Sequence, residues 1–418
     1  MLKLRWETEF KETEIGEIPR DWEKSEIGSF MVIRSGKRPK EVKVYGFYEV
    51  WGANGFMGYT DDTDHLENRE VLITGRVGTL GNVYYIKKNS NVWLSDNVLI
   101  LYPNDQEINL KFVFYHLLTR KEDIINLDVG STQPLITQNG LKNLIIPLPP
   151  LPEQSRIATV LSYFDDLIEN KKRQNEILEK TTMAIFKSWF IDFEPFRACP
   201  ERERGNYDEF VYNEELGREI PKGWEVKKLG EVVKTQYGIT ISGENFGEIK
   251  LLRITDINKT FVIDWDSVPY CNLHEKMFYK YNLSDKDIVI SRIADIGKVA
   301  IIEDPPKSVF ASYLIRLKIK SDSNIKPYYL YYWLKSEIYQ EYILGAGEGS
   351  TRENTNAEVI KDGPILIPDI SILQKFEELA CDLRSKIILN QKQIMTLRKI
   401  RDTLLPLLVF GKLRVEEI

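Results

Sequence analysis

Residue types that can hold a phosphate or read the edge of a base gather around several glycines of this chain. The densest group is Arg34-Ser35-Gly36-Lys37-Arg38-Pro39-Lys40, four cations about one glycine at what reads as a strand-to-loop exit. Gly75-Arg76 and Gly130-Ser131-Thr132-Gln133 follow, and further along stand Gln236-Tyr237-Gly238, Arg253-Ile254-Thr255, Arg292, Lys298 and Ser350-Thr351-Arg352. A guanidinium can bond guanine through two hydrogen bonds, and an amide side chain can do the same to adenine. Ser, Thr, Lys and backbone amides hold phosphates instead. A glycine lets the backbone itself come close to a phosphate. The candidate DNA contacts are therefore Arg34, Ser35, Lys37, Arg38, Arg76, Ser131, Thr132, Gln133, Gln236, Tyr237, Arg253, Thr255, Arg292, Lys298, Ser350, Thr351 and Arg352. A solvated surface charge or a turn glycine is the alternative reading of each.

Groups that could do covalent chemistry are missing. No Gly-x-x-x-x-Gly-Lys-Ser/Thr phosphate loop is present; Gly297-Lys298 lacks both the leading glycine and the following hydroxyl. Asp304-Pro305-Pro306 is followed by Lys307, where an amino-methyltransferase needs an aromatic ring, and reads as a hairpin turn. His65, His116 and His274 are isolated, and Cys199, Cys271 and Cys381 are far apart, so no metal site or disulfide framework is expected. His116 lies in an apolar helical stretch and reads as structural. The pairs Asp61-Asp62 and Asp165-Asp166 read as solvated faces. No catalytic residue and no metal ligand are expected in this chain.

The elements that carry the candidates occur twice. Ile18-Pro19-Arg20-Asp21-Trp22 with Gly28 returns as Ile220-Pro221-Lys222-Gly223-Trp224 with Gly230, a constant offset of 202. Arg76 with Gly81 returns as Arg292 with Gly297 at 216, Gly130-Ser131-Thr132 as Gly349-Ser350-Thr351 at 219, and Asn170 as Asn390 at 220. Such a slow drift indicates small loop insertions. A period near half the chain is too long for a solenoid, and it predicts two copies of a domain-plus-helix unit related by an approximate twofold axis. Candidates repeated in both copies (Arg76 and Arg292, Ser131/Thr132 and Ser350/Thr351) are the strongest, since domains with one task should reuse one phosphate grip.

The expected order is a polar lead-in (1–17), a mixed α/β domain (18–152), a long helix (153–190), a linker (191–219), a second mixed domain (220–371), a second long helix (372–411) and a tail (412–418). Steps of four and three give a seam of Ile157, Leu161, Phe164, Ile168, Lys171, Asn175, Leu178, Thr182, Ile185 and Trp189 on the first helix. The second carries Phe376, Ala380, Leu383, Ile387, Asn390, Ile394, Leu397, Arg401, Leu404 and Leu408. At roughly 1.5 Å per residue each helix is on the order of 55 Å long, more than a domain of this size needs for its own core. The two are expected to pair as an antiparallel coiled coil, with Asn175 and Asn390 fixing register. Packing of each helix on its own domain is the alternative. Pro406 is expected to disturb the last turn.

Composition bounds the partners. Apolar residues at 43% and charged residues at 29% describe an ordinary soluble chain. The first residues are too polar for a signal peptide and no stretch is long enough to span a bilayer, so a cytoplasmic protein with no membrane partner is expected. Residues 19–150 hold 15 basic and 16 acidic groups and residues 221–370 hold 20 and 21, so the net charge of −6 resides largely in the linker. Near-neutral domains can bind DNA if their cations share a face, but weakly when alone, because neutralising phosphates supplies most non-specific affinity.

Pro147-Leu148-Pro149-Pro150-Leu151-Pro152-Glu153-Gln154, then Arg156-Ile157-Ala158, Leu161 and Asp165, closely resembles the start of the central helix in specificity subunits of type I restriction–modification enzymes. Trp189-Phe190-Ile191-Asp192-Phe193-Glu194-Pro195 resembles the end of that helix, and the Ile-Pro-x-x-Trp signatures at Ile18 and Ile220 resemble the openings of two target-recognition domains. The second copy, Pro368-Asp369-Ile370-Ser371-Ile372-Leu373-Gln374, keeps Pro and Gln but loses the Glu. The resemblance implies an α+β chain of two mixed α/β target-recognition domains separated by a long antiparallel two-helix coiled coil. Each domain would read half of a bipartite sequence in double-stranded DNA. The coil would fix the gap and carry two methyltransferase subunits, which use S-adenosylmethionine; restriction–translocase subunits using ATP and Mg would join them. The chain itself would need no cofactor and catalyse nothing. A stand-alone bivalent DNA-binding protein and a coiled-coil scaffold with no nucleic-acid partner are the other classes the composition allows.

Overall fold

The computed structural model describes residues 2–104, 108–197, 209–258, 261–345 and 355–417. The chain forms two compact units, one of Met1–Ile168 with Thr396–Ile418 and one of Glu169–Met395. A helix from Leu151 to Phe190 and another from Ile370 to Val409 each contribute to both.

In the first unit the apolar runs of the sequence become an antiparallel sheet ordered Val83–Ile86, Val71–Gly75, Val98–Pro103, Met31–Ser35. Val71–Gly75 is buried along its whole length, which is why it reads as an unbroken apolar run rather than an alternating one. A second sheet runs Gly55–Thr60, Tyr48–Gly52, Val92–Leu94, Leu66–Glu67, with the middle pair parallel. The helix Leu110–Leu118 covers the first sheet, and Glu23–Glu26 pairs with the closing strand Ile145–Leu148. The lead-in and the tail are both structured. Phe10–Thr13 and Gly16–Pro19 form a hairpin, and Leu2–Trp6 pairs antiparallel with Leu413–Glu417.

The proline-rich run before the first long helix has a physical reason. Pro149 and Pro150 stop the strand, and the carbonyl of Pro150 accepts from the amides of Glu153 and Gln154 to open the helix at Leu151. Glu153, almost fully buried, accepts the Trp22 indole N–H at 3.1 Å and pairs with Arg414 at 2.5 Å. Gln154 accepts from the Asn109 amide and donates to the Pro149 carbonyl, each at 2.9 Å. The signature residues Trp22, Glu153 and Gln154 thus weld this unit's domain to its helix. Ile157, Ala158 and Leu161 share a core with Leu405, Leu408 and Val409, and Arg401 bonds Asp165 at 2.6 Å. The second helix runs through Pro406, whose ring lies exposed in the last turn.

The second unit repeats these connections. Val299–Ile301, Ile288–Ser291, Leu314–Ile319 and Val233–Tyr237 make the antiparallel sheet, and Ile249–Leu252 lies parallel to Ser308–Phe310 with Tyr270–Cys271 at its other edge. The hairpin Phe210–Asn213 with Arg218–Pro221 pairs Phe210 with Pro221, as Phe10 pairs with Pro19. The stretch from Pro327 forms two helices, Pro327–Lys335 and Glu337–Gly345, broken at Ser336. Leu373 stands where the first copy has Glu153. It is fully buried in the core that holds Trp224, so an apolar contact replaces the ionic one.

Within this unit the helices run antiparallel. Phe186 meets Phe376 at 5.6 Å and Asn390 donates to Asn175 Oδ1 at 2.9 Å, with both amides buried. After Asn175 the buried positions are Glu179, Thr182, Phe186 and Phe190, of which only Thr182 belongs to the expected seam. Leu178, Ile185 and Trp189 are displaced to half-buried flanks, as is Leu383 beside the fully buried Arg384. An α-helix at 3.6 residues per turn drifts off a 3.5-residue repeat in this way. In the first unit Phe164, Leu397 and Leu404 are likewise half-buried, whereas Ile157, Leu161 and Ile168 are closed; in the second, Ile387 and Ile394 are closed.

Candidate nucleic-acid interface

Four loops of the first unit meet along one rim. Arg34 lies exposed on the edge strand Met31–Ser35, its guanidinium 5.7 Å from the centre of the Tyr102 ring. Gln138 donates to the Ser35 hydroxyl at 3.2 Å and so ties this strand to the 128–138 segment. The Lys37 amide bonds the Leu94 carbonyl at 2.9 Å, and its ammonium lies 3.2 Å from His65 Nε2. Arg38 is exposed. Lys40 pairs with Asp64 at 2.9 Å, so its charge is already answered.

Arg76 is held from both sides by its backbone. Its amide donates to the Asn97 carbonyl at 2.8 Å, and its carbonyl accepts from the Ile136 amide at 2.9 Å. No ion pair to its half-buried side chain occurs among the described residues. Ser131, Thr132 and Gln133 are exposed on a loop whose base is closed by Asp128, which accepts from the amides of Gly130 and Leu135 at 2.8 Å. Those amides hold the Asp128 carboxyl below the usual carboxylate range.

The second unit repeats the two backbone bonds that hold Arg76. The Arg292 amide donates to the Tyr313 carbonyl at 3.1 Å, and its carbonyl accepts from Thr355 at 2.9 Å. Its guanidinium packs 5.3 Å from the Tyr237 ring centre and bonds the Ser312 carbonyl at 3.4 Å, so it is more tethered than Arg76. Lys298 and Thr255 are exposed. Two candidates are engaged internally. Arg253 makes a two-pronged pair with Asp256 at 3.0 and 3.1 Å. Gln236 donates to the Lys280 carbonyl at 2.9 Å and accepts from Arg316, which pairs with buried Asp287. Ser350, Thr351 and Arg352 lie outside the described residues.

The glycines serve a different end from the one their sequence context suggests. A Cβ on Gly36 would sit 2.1 Å from the Ser95 carbonyl, and one on Gly238 would sit 2.2 Å from that of Ala311. Gly75 and Gly130 similarly face the carbonyls of Thr79 and Gln133 at 1.9 Å. These backbones approach other backbone, and that close packing, which a Cβ would block, sets the shape of the rim. The Ser95–Asn97 turn and its counterpart Ala311–Tyr313 complete each rim. Sequence reasoning passed over them, although they lie at the same offset of 216 as Arg76 and Arg292. His116 is fully buried between Phe112 and Phe410, and burial pushes its pKa down to about 3, so it is a neutral core residue. No group of three or more His, Cys, Asp or Glu side chains able to hold a metal occurs among the described residues, and no described helix is long and apolar enough to cross a membrane.

A doubled mixed α/β domain, with a basic rim on each copy and two long helices, defines a class of DNA-reading subunit. The family model described as "Type I restriction modification DNA specificity domain" matches residues 19–180 and 221–395, and the chain belongs to that family. The type I restriction enzyme MjaIX specificity subunit of Methanocaldococcus jannaschii is 37% identical over all of this chain and 99% of its own length. The MjaVIII specificity subunit of the same organism is 25% identical over 99% of this chain and 97% of its own. The crystal structure of a type I restriction–modification S subunit from M. genitalium superposes with a TM-score of 0.55 over 93% of this chain and 96% of that one, at 20% identity, and so shares the fold.

Proposed function

We propose that this chain is a non-catalytic specificity subunit of the cytoplasm in which each unit reads one half of a bipartite DNA sequence. The paired helices fix the gap between the halves and carry two methyltransferase subunits. Those partners supply S-adenosylmethionine, and restriction–translocase subunits supply ATP-driven translocation with Mg. The observation that carries the reading is the repetition of one rim in two units, with Arg76 and Arg292 fixed by the same pair of backbone hydrogen bonds. A protein that reads one continuous site has no need of two such rims.

The test is exchange. Replacing residues 18–150 with those of a relative should change one half of the methylated motif and leave the other half and the gap intact, as read by single-molecule sequencing of host DNA. A change in both halves, or in neither, would refute the modular reading.

The rim arginines have a separate expected result. In the assembled complex, Arg76→Ala should weaken binding to all sequences alike and reduce the salt slope by about one unit, because one phosphate contact is lost. Arg292→Ala should do the same for the other half, more weakly because Ser312 and Tyr237 already hold it. Binding isotherms at several salt concentrations decide this. A loss of roughly 1–3 kcal/mol confined to one base position would make either residue a guanine reader instead.

A further inference from the structure

Tyr45, Phe47 and Phe246 are the most exposed large apolar side chains among the described residues, at 83%, 86% and 85%. They occupy one place in two copies of the domain. Lys43 and Tyr59 exchange both backbone hydrogen bonds, at 2.7 and 2.8 Å, and Glu244 and Tyr270 do the same at 2.7 and 2.9 Å. Each loop then passes a glycine pressed on a tyrosine Cβ, Gly46 on Tyr59 and Gly247 on Tyr270. By that register Tyr45 and Phe246 are the same position. A ring left almost wholly in water on both copies has no folding role, because burial is what makes a ring stabilising.

The charge around these rings argues against DNA as their contact. Between residues 40 and 64 five carboxylates (Glu41, Glu49, Asp61, Asp62 and Asp64) surround only two ammonium groups, Lys40 and Lys43, and both of those are paired with aspartates. Between residues 238 and 250 stand Glu244 and Glu248 against one cation, Lys250, which is buried and donates to the Val268 carbonyl at 2.8 Å. An acidic collar repels phosphates. It suits a protein surface with an apolar socket and a basic edge. Repetition argues against base reading, since residues that read two different half-sites should diverge, and the charge then separates the two partners that are met twice, phosphate and protein.

We propose that Tyr45, flanked by Phe47, and Phe246 are docking anchors, each inserted into an apolar, lysine- or arginine-rimmed socket on one methyltransferase subunit. This rests on the specificity-subunit reading above. Titration of the chain with a type I methyltransferase subunit from the same genome, followed by analytical ultracentrifugation, tests it. Phe246→Ala should weaken one of the two binding events about thirtyfold, the scale of a truncated aromatic anchor, and the double variant Tyr45→Ala, Phe47→Ala should weaken the other. Tyr45→Phe should retain assembly. Phe246→Lys should weaken assembly at least as much as alanine does, since it places a cation against a basic edge, whereas a ring touching DNA would make that variant bind DNA more tightly. Unchanged assembly in the alanine variants, or normal assembly with lost DNA affinity, overturns the proposal. A wild-type chain that binds no methyltransferase subunit overturns the specificity-subunit reading itself, a result distinct from assembly lost on substitution.

Discussion

Arg384→Met is expected to destabilise the unit Glu169–Met395 by about 3–5 kcal/mol, lowering its melting transition by about 10 °C. Arg384 is fully buried and bonds Glu179 at 2.8 Å, while Nε donates to Glu303 at 3.1 Å. Glu179 also accepts from Tyr332 at 2.9 Å, Tyr331 at 3.2 Å and Lys335 at 2.5 Å, and Glu303 accepts from Tyr328 at 3.0 Å. Without the guanidinium both carboxylates stay buried and under-compensated, which costs more than the pair itself contributes. Burial alone would raise the Glu179 pKa, but Lys335 and Arg384 overcome it and hold the pKa below the ordinary value. A depressed folded-state pKa stabilises above the unfolded pKa, and that stability is lost as pH falls through the folded value. The penalty of Arg384→Met should therefore shrink in acid, where the stranded Glu179 carboxylate protonates. Calorimetry at pH 7.5 and pH 4.5 measures both effects, and an equal loss at the two values would show that packing, not charge, is what Arg384 supplies.

Four residues inserted after Asn170 should abolish methylation of the original motif. The insertion adds about one helical turn, near 6 Å, to one helix only. Asn175 is hydrogen-bonded to Asn390 on the second helix, so the added turn cannot be absorbed by sliding without breaking a buried amide pair. A matching four-residue insertion after Met395 restores equal lengths. That double variant should methylate a motif with the same two halves and a gap longer by about two base pairs, at 3.4 Å per base pair. The starting gap is expected to be on the order of 5–8 base pairs, for two readers about one turn of DNA apart. Methylation with unchanged spacing in either variant would show that the helices do not set the distance.

What the sequence revealed was what repetition and periodicity can carry. Offsets of 202 to 219 became matched hydrogen bonds, and the apolar runs became strands of the sheets in both units, whereas Asn170 and Asn390, matched at 220, are exposed and buried respectively. The charge partners were not legible. Nothing local says that Arg253 folds back on Asp256, that Gln236 is claimed by Arg316, or that Arg384 is fully buried rather than solvated. Those facts depend on which neighbours tertiary packing delivers. The seam departed from its pattern for a related reason: past Asn175 it is Glu179, not Leu178, that is buried, held by the tyrosines of Pro327–Lys335. Helix-to-domain contacts, invisible in a helix-to-helix pattern, decide which face is closed. The ends misled as well, since Leu2–Trp6 and Leu413–Glu417 have no apolar run to mark them and become strands by pairing with each other.

That pairing of Leu2–Trp6 with Leu413–Glu417 sets an order of events during synthesis. The second unit is one continuous stretch, Glu169–Met395, and every segment it needs has been made by the time Met395 leaves the ribosome. The first unit, although its earlier segment emerges first, lacks Thr396–Ile418 until after the whole of the second unit has been made. Until then Trp22, Glu153 and Asp21 wait without Arg414, and Leu161 without Leu408 and Val409. The half translated first is thus the half completed last, and a ribosome that stalls before Arg414 would release a chain whose second unit is sound and whose first is open.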